Sequence, residues 1–431
     1  MNFYSTKNRG LKVSFREALM KGMPDDNGLY MPEKIPDHRS LIKGIEKLNF
    51  QDISFVLAKS FLNNNFSNEE IEEIIDKSIT FDSPLVNIID NINILELFHG
   101  PTLAFKDFGA RFMARTMEKV VAYENQELNI LVATSGDTGS AVANGFYNIE
   151  GINVIILYPS NKVSIIQEKQ LTTLDKNIYA LEIKGTFDDC QKLVKQAFID
   201  KNLKSKINVS SANSINIARL IPQSFYYFNA YSQLNSNKSI VVSVPSGNFG
   251  NITAGIMAKH MGLPIFRFIA STNANNTVPQ FFSSGKYKPQ SSVATISNAM
   301  DVGNPSNLNR IMDIYNNIDA LKNDLECWSF SDLETINTIV ETLGNNNYLL
   351  DPHSAVGLLG LRKYMGKNKN IEGIFLGTAH PAKFSDFIEK EINQKINIPN
   401  RLKKIIDKEK KSTLLNNNYP EFSDYLLSNF K

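Results

Sequence analysis

The chain has 431 residues, 42% of them hydrophobic, long enough to bury two sizeable cores. Its 46 basic and 44 acidic residues leave a net charge of +2 with no block of like charges, which argues against a nucleic-acid partner. Two distant cysteines, Cys190 and Cys327, suggest neither a disulfide framework nor a metal site and fit a reducing cytoplasm, and without an apolar run of membrane length or an export signal no membrane association is expected.

The first ninety residues carry helix-like stretches, SFREALMKGM (14–23) and IEEIIDKSI (71–79), parted by the turn-rich MPDDNGLYMPEKIP (23–36). They are expected to form an N-terminal helical module. In HGPTLAFKDFGARF (99–112) a single lysine, Lys106, sits in hydrocarbon at a loop-to-helix junction. Asp107 is a possible N-cap, and Phe108, Phe112, Met113 and Met117 are spaced as one helical face. A desolvated lysine loses basicity, and the free amine is the nucleophile that Schiff-base chemistry needs. The alternative is a lysine whose stem covers apolar surface while its head reaches water.

Beyond that point apolar runs alternate with helical ones. NILVAT (129–134), NVIILYP (153–159), NIYALEI (177–183), SIVVSVP (239–245), IFRFIAS (265–271) and EGIFLGT (372–378) read as strands, most of them followed by a helical pattern. Near-continuous apolar strands separated by helices predict an α/β fold of parallel sheets covered on both faces. Ligands in such sheets bind beyond the carboxyl ends of strands, so the loops there are the place to look.

Three loops stand out. In ATSGDTGSA (133–141), Ser135, Gly136 and Thr138 offer hydroxyls and amides suited to a small carboxylate or phosphate. Asp137 would repel such a ligand unless its side chain binds something else, and capping of the next helix by Asp137 or Thr138 is the plainer alternative. In SANSINIARLIPQSFYY (211–227), Asn213, Ser214, Asn216 and Arg219 could grip a phosphate or could simply begin a surface helix. In VPSGNFGN (244–251), Gly247 and Gly250 let backbone approach an anion at a helix N-terminus, although a tight strand-to-helix turn would use the same glycines. Neither GxGxxG nor GxxxxGK[ST] occurs.

Taken together these blocks resemble one family. HGPTLAFKDFGARF is similar to the cofactor-lysine motif of threonine synthases, pyridoxal-phosphate enzymes with the tryptophan synthase β-like fold. YSTKNRGLKVSFREALMKGMPDDNGLYMP (4–32), ATSGDTGSA, SVPSGNFGN, DPHSAVG (351–357) and LGTAHPAKF (376–384) resemble the family's other blocks in the expected order, so the likeness runs from about residue 3 to residue 385. It implies that Lys106 holds pyridoxal 5'-phosphate as a Schiff base and then shuttles protons. Main-chain amides of Gly247, Asn248, Phe249, Gly250 and Asn251 would cradle the cofactor phosphate, and Thr378 would meet the pyridine nitrogen.

For the substrate, the resemblance assigns Ser135, Gly136, Asp137 and Thr138 to the amino-acid end, while Asn213, Ser214, Asn216 and Arg219 are taken for its phosphate. His353 and His380 lie in motif blocks without an assigned step. The implied reaction converts O-phospho-L-homoserine and water to L-threonine and phosphate. A phosphohomoserine lyase, a serine/threonine dehydratase-like enzyme, or a catalytically silent metabolite-binding paralogue are the alternatives. The expected organisation is an N-terminal module (1–90), a smaller α/β domain (106–215) and a larger cofactor-binding α/β domain (91–105 and 216–431), with the cofactor cleft between the two α/β domains. The expected partner is the small-molecule substrate, and the chain is expected to act as a monomer or homodimer.

Overall fold

The computed structural model describes residues 1–124 and 127–430. The chain opens with β1 (Asn2–Ser5), β2 (Asn8–Ser14) and β3 (Tyr30–Pro32), an antiparallel sheet of order β2-β1-β3. The N-terminal module is therefore part sheet, not purely helical as expected. Most of β2 faces solvent, so its sequence lacks the apolar alternation that announces a strand. The helices behave as read: Phe15–Lys21 is capped by Ser14, and Asn68–Ser78 by the Ser67–Glu70 capping box.

β4 (Leu85–Ile89) and β5 (Ile92–Glu96) then begin the larger sheet as an antiparallel pair, so the module ends before residue 85 rather than at 90. The chain crosses to the smaller sheet for β6 (Leu128–Ala133), β7 (Ile152–Pro159), β8 (Ile178–Lys184) and β9 (Val209–Ser211), all parallel. It returns for β10 (Ser239–Pro245), β11 (Ile265–Thr272), β12 (Leu325–Ser329) and β13 (Ile371–Gly377). The larger sheet has the order β12-β11-β10-β13-β5-β4 and is parallel except at the β4 edge. Strands β6 and β13 are buried along their whole length, which is why they read as continuous apolar runs.

A second domain boundary needs correction. The last strand, β14 (Thr413–Asn416), pairs with β8, and the helix Tyr419–Asn429 packs on the helix Phe187–Ile199. Leu415, Phe422, Leu426 and Phe430 join the core formed by Leu157, Leu181 and Ile183. The chain end thus completes the smaller domain and covers the edge of β8, instead of belonging to the larger one.

Candidate active site

The loops singled out above all leave the carboxyl ends of strands. Residues 134–138 follow β6, 212–216 follow β9 and 246–251 follow β10, and the motif block at 378–383 follows β13. After β5, the stretch before Lys106 is stitched to the loop following β13: Leu97 N donates to Gly377 O, Phe105 N to Thr378 O, and His380 N to Leu103 O. This pairing places Thr378 beside Lys106.

Lys106 is the first residue of the helix Lys106–Glu124, and Phe108, Phe112, Met113 and Met117 are completely buried along that helix as its spacing predicts. Asp107 is not the N-cap. Its carboxylate reaches back to the preceding loop, accepting from Thr102 N (2.9 Å) and Thr102 Oγ1 (2.7 Å), and burial raises its pKa. Gly100 lets that loop close over Asp107, because a Cβ there would stand 2.4 Å from Asp107 Oδ2.

The Lys106 ammonium lies over the Phe105 ring, 5.1 Å from its centroid, with 16% of the side chain exposed. Burial pushes its pKa down to about 8, Asp137 opposes the shift, and Lys383 and Arg219 reinforce it. An amine held there is part-neutral at ordinary pH, which a snorkelling lysine in water would not be.

The loop after β6 explains its awkward carboxylate. Thr134 Oγ1 accepts from the amides of Gly136 and Gly139, so neither Asp137 nor Thr138 is needed as a cap. Asp137 turns into the protein, where its Oδ1 lies 2.6 Å from Lys383 Nζ and accepts from Gln167 Nε2 at 3.0 Å. Burial would raise its pKa, but Lys383 and Lys106 dominate and hold it well below the usual carboxylate range. Among the described residues, the hydroxyls of half-buried Ser135 and Thr138 and the amides of Ser135, Asp137 and Thr138 have no protein partner. The loop is a set of unused donors with its one anion already neutralised.

The loop after β10 is stronger still as an anion site. Among the described residues, none of the backbone N–H groups from Gly247 to Ile252 finds a protein acceptor, and Phe249 adopts φ 59° to turn them into one concavity at the start of the helix Gly250–His260. Asn248 fixes the loop, its Nδ2 donating to Ser214 Oγ (2.6 Å) and its Oδ1 accepting from Ser306 N (2.7 Å). The Asn251 side chain points away into the core, where Oδ1 accepts from the hydroxyls of Tyr226 and Tyr227, so only its main chain faces the loop's concavity. Thr378 is buried, and among the described residues its hydroxyl makes no protein hydrogen bond.

The cluster after β9 is more structural than its sequence suggests. Asn216 is fully engaged, donating to Leu19 O and Ser211 O and capping Ala218 N, and is corrected from a substrate ligand to a strut. Asn213 ties its loop to Ala133 O, and buried Arg310 reaches Ser214 O, Ile215 O and Tyr30 O. Arg219 is buried rather than on a surface helix. It donates to Ala212 O, while its Nε and second terminal nitrogen have no protein acceptor among the described residues. Gly109 allows this approach, since a Cβ there would lie 3.0 Å from Arg219 Nε.

Both motif histidines are braces. His353 lies 2.6 Å from Asp351 Oδ2 through Nδ1 and accepts from Ala299 N through Nε2, and His380 Nδ1 accepts from Ala382 N. Sequence reasoning missed Lys383 and Gln167 entirely. Lys383 is the only lysine of LGTAHPAKF, five residues from Thr378, and that position is the signal in the sequence that marks it.

These residues fit pyridoxal phosphate: a lysine of lowered basicity, a concavity of unpartnered amides for a phosphate, and a free hydroxyl beside the lysine. Comparison with known proteins agrees. Residues 91–374 match the family described as pyridoxal-phosphate dependent enzyme, residues 2–79 the threonine synthase N terminus, and residues 354–425 the threonine synthase C-terminal region. The chain is 44% identical to threonine synthase of Buchnera aphidicola subsp. Acyrthosiphon pisum (99% of this chain, 100% of that protein) and 42% identical to that of Escherichia coli (97% of each). The crystal structure of the Escherichia coli threonine synthase superposes with a TM-score of 0.94 at 40% identity over all of both chains. A pyridoxal-phosphate-bound threonine synthase from Brucella melitensis gives 0.93 at 32% identity over 99% of each.

Proposed function

Because the chain belongs to the threonine synthase family of pyridoxal-phosphate-dependent lyases, we propose that the residues described above convert O-phospho-L-homoserine and water to L-threonine and phosphate as follows. When bound, the cofactor would supply an electron sink that stabilises negative charge on the substrate carbon next to its nitrogen. Lys106 would anchor the cofactor through its amine and, as the base beside the bound substrate, would move protons between substrate carbons. Its lowered basicity suits both tasks, since the neutral amine is the nucleophile and the base.

The amides of Gly247, Asn248, Phe249, Gly250 and Asn251 receive the cofactor phosphate. Such a cradle stabilises the dianion with helix-end dipoles and needs no cation that would compete for the substrate's own phosphate. Thr378, a neutral hydroxyl beside Lys106, would be the partner of the pyridine nitrogen. Ser135, Asp137 and Thr138 hold the amino-acid end, the carboxylate accepting from their amides and hydroxyls while the Asp137 side chain stays locked on Lys383; Gly136, expected among these ligands, has its amide tied to Thr134 Oγ1 and instead shapes the turn. Arg219, with guanidinium nitrogens to spare, binds the substrate phosphate with help from Asn213 and Ser214.

The observation that carries this reading is the placement of Lys106 beside Thr378 and Asp137, at the strand ends of both sheets. Purified protein given O-phosphohomoserine should release phosphate and threonine in equal amounts. Phosphate accompanied by 2-oxobutyrate would show the lyase alternative, and no turnover with cofactor bound would show the silent paralogue. The enzyme acts as a monomer or homodimer. Its cysteines, both free and buried, support a reducing cytoplasm, and among the described residues no helix is long and apolar enough to cross a membrane.

A further inference from the structure

Lys383 takes no part in the chemistry assigned above, yet it is the only lysine among the described residues that is buried, with none of its side chain exposed. Its Nζ lies 2.6 Å from Asp137 Oδ1 and donates to Thr102 O at 3.0 Å. Gln167 Nε2 supports the same carboxylate oxygen from the next helix. The other oxygen, Oδ2, faces Lys106 Nζ at 3.9 Å, outside hydrogen-bond range. A buried carboxylate between two ammonium groups would be expected to close on both, and here it is held on one side.

We propose that Lys383 is a positioning residue that grips Asp137 by one oxygen, so that the carboxylate faces Lys106 without hydrogen-bonding it. The inference rests on the assignment of Lys106 as the cofactor lysine. An ammonium donated directly to Asp137 would keep its proton and could not attack a carbonyl, whereas at the observed separation the proton can leave. The charges facing Lys106 come from four elements. Asp137 and Asp351 favour its charged form, Lys383 and Arg219 oppose it, and burial opposes it most. On the helix of Lys106 itself, Asp107 is turned to Thr102 and feels Lys383. Lys383 thus acts twice, by restraining the carboxylate and by adding a second positive charge.

The full-length chain freed of cofactor tests this directly, through the pH dependence of Lys106 acetylation by acetic anhydride, read by peptide mass spectrometry. Lys383→Met releases Asp137 towards Lys106, and acetylation near neutral pH should fall about tenfold, the effect of a one-unit displacement in the titration. Adding Asp137→Asn to Lys383→Met removes both charges and should restore labelling to within about threefold of the parent chain. Should the single variant fail to fold, Asp137→Asn alone provides the test: it leaves Lys383 unopposed, and Lys106 should label faster.

In the loaded enzyme, the acid limb of kcat, which reports the enzyme–substrate complex where the Lys106 amine is free, should move to higher pH for Lys383→Met, while Lys383→Arg keeps the parent profile. An unchanged Lys106 titration in folded Lys383→Met overturns the proposal, as does failure of the double variant to restore labelling or slower labelling in Asp137→Asn. A rise in KM without a titration shift also overturns it and makes Lys383 a substrate contact. Borohydride tagging of another lysine would instead overturn the role of Lys106, with this titration unaffected.

Discussion

The phosphate cradle can be tested by adding a single methyl group. A Cβ on Gly247 would lie 2.6 Å from Met300 Cα and 3.1 Å from Ala299 O, both backbone atoms. Ordinary contact begins at 3.4 Å, so Gly247→Ala requires the loop and the segment Asn298–Met300 to part by about 0.8 Å. That segment has little freedom, since Met300 N is bonded to Ser297 O and Ala299 N to His353 Nε2. Overpacking of this kind costs about 1–3 kcal/mol of stability. The same displacement pulls cradle amides off the phosphate, and losing one hydrogen bond to a charged group, about 1.5–3 kcal/mol, weakens cofactor binding roughly ten- to a hundredfold. Gly250→Ala is the control for stability, because its Cβ would meet no protein atom closer than Asn307 Nδ2 at 3.4 Å. Urea unfolding of the cofactor-free chain and spectroscopic titration with pyridoxal phosphate separate the two effects. Equal cofactor affinity in Gly247→Ala and the parent chain would refute the cradle at this loop.

Three further outcomes are expected. Lys106 should carry the borohydride tag, and the same amine sets a pH signature in the cofactor-free chain. Between about 8 and its ordinary 10.5 the unfolded chain holds a proton that the folded chain has released, so stability should rise with pH across that window by up to about 3 kcal/mol relative to Lys106→Met; a flat difference between the two chains would mean the amine is solvated. Arg219→Ala should weaken O-phosphohomoserine about ten- to a hundredfold while leaving cofactor affinity alone, because the lost contact is a charge-assisted one to the substrate, and unchanged kinetics would return Arg219 to a packing role under Gly109. Thr378→Asp should place a charge that protonates the cofactor ring, altering the visible spectrum and diverting product from threonine; parent spectra and rate would show that Thr378 does not touch the pyridine nitrogen.

What the sequence made legible is whatever depends on local periodicity. The buried strands β6, β7, β10, β11 and β13 read correctly because both of their faces are covered, and the face Phe108, Phe112, Met113, Met117 because it packs into one core. Strand β2 was invisible since solvent covers most of it, and β14 since only Leu415 of its four residues is buried. The joining of residues 413–430 to the smaller sheet is a contact across more than two hundred residues, which no window of pattern can contain. Asn216 misled for a related reason. A polar residue before a helix looks the same whether its amide faces a ligand or Leu19 O, nearly two hundred residues away.

The same limit hid the charge logic of the site, and that logic explains why Asp137 can stand in a loop meant for anions. Taken alone, a carboxylate among free amides repels a substrate carboxylate. In the folded chain it is cancelled by Lys383 on one side and faced by Lys106 on the other, with Arg219 contributing to the same field. Lys383 and Lys106 thus flank one inward-turned anion, and positive charge beyond its own is available to a ligand that brings a carboxylate. The cofactor phosphate draws on none of it, since the amides of residues 247–252 are neutral. This separation sets a direction of effect for each side chain. Removing Arg219 should harm the substrate before the cofactor, and disturbing a backbone amide should harm the cofactor before the substrate, an ordering that the Arg219 and Gly247 variants can reverse if the assignment of either group is wrong.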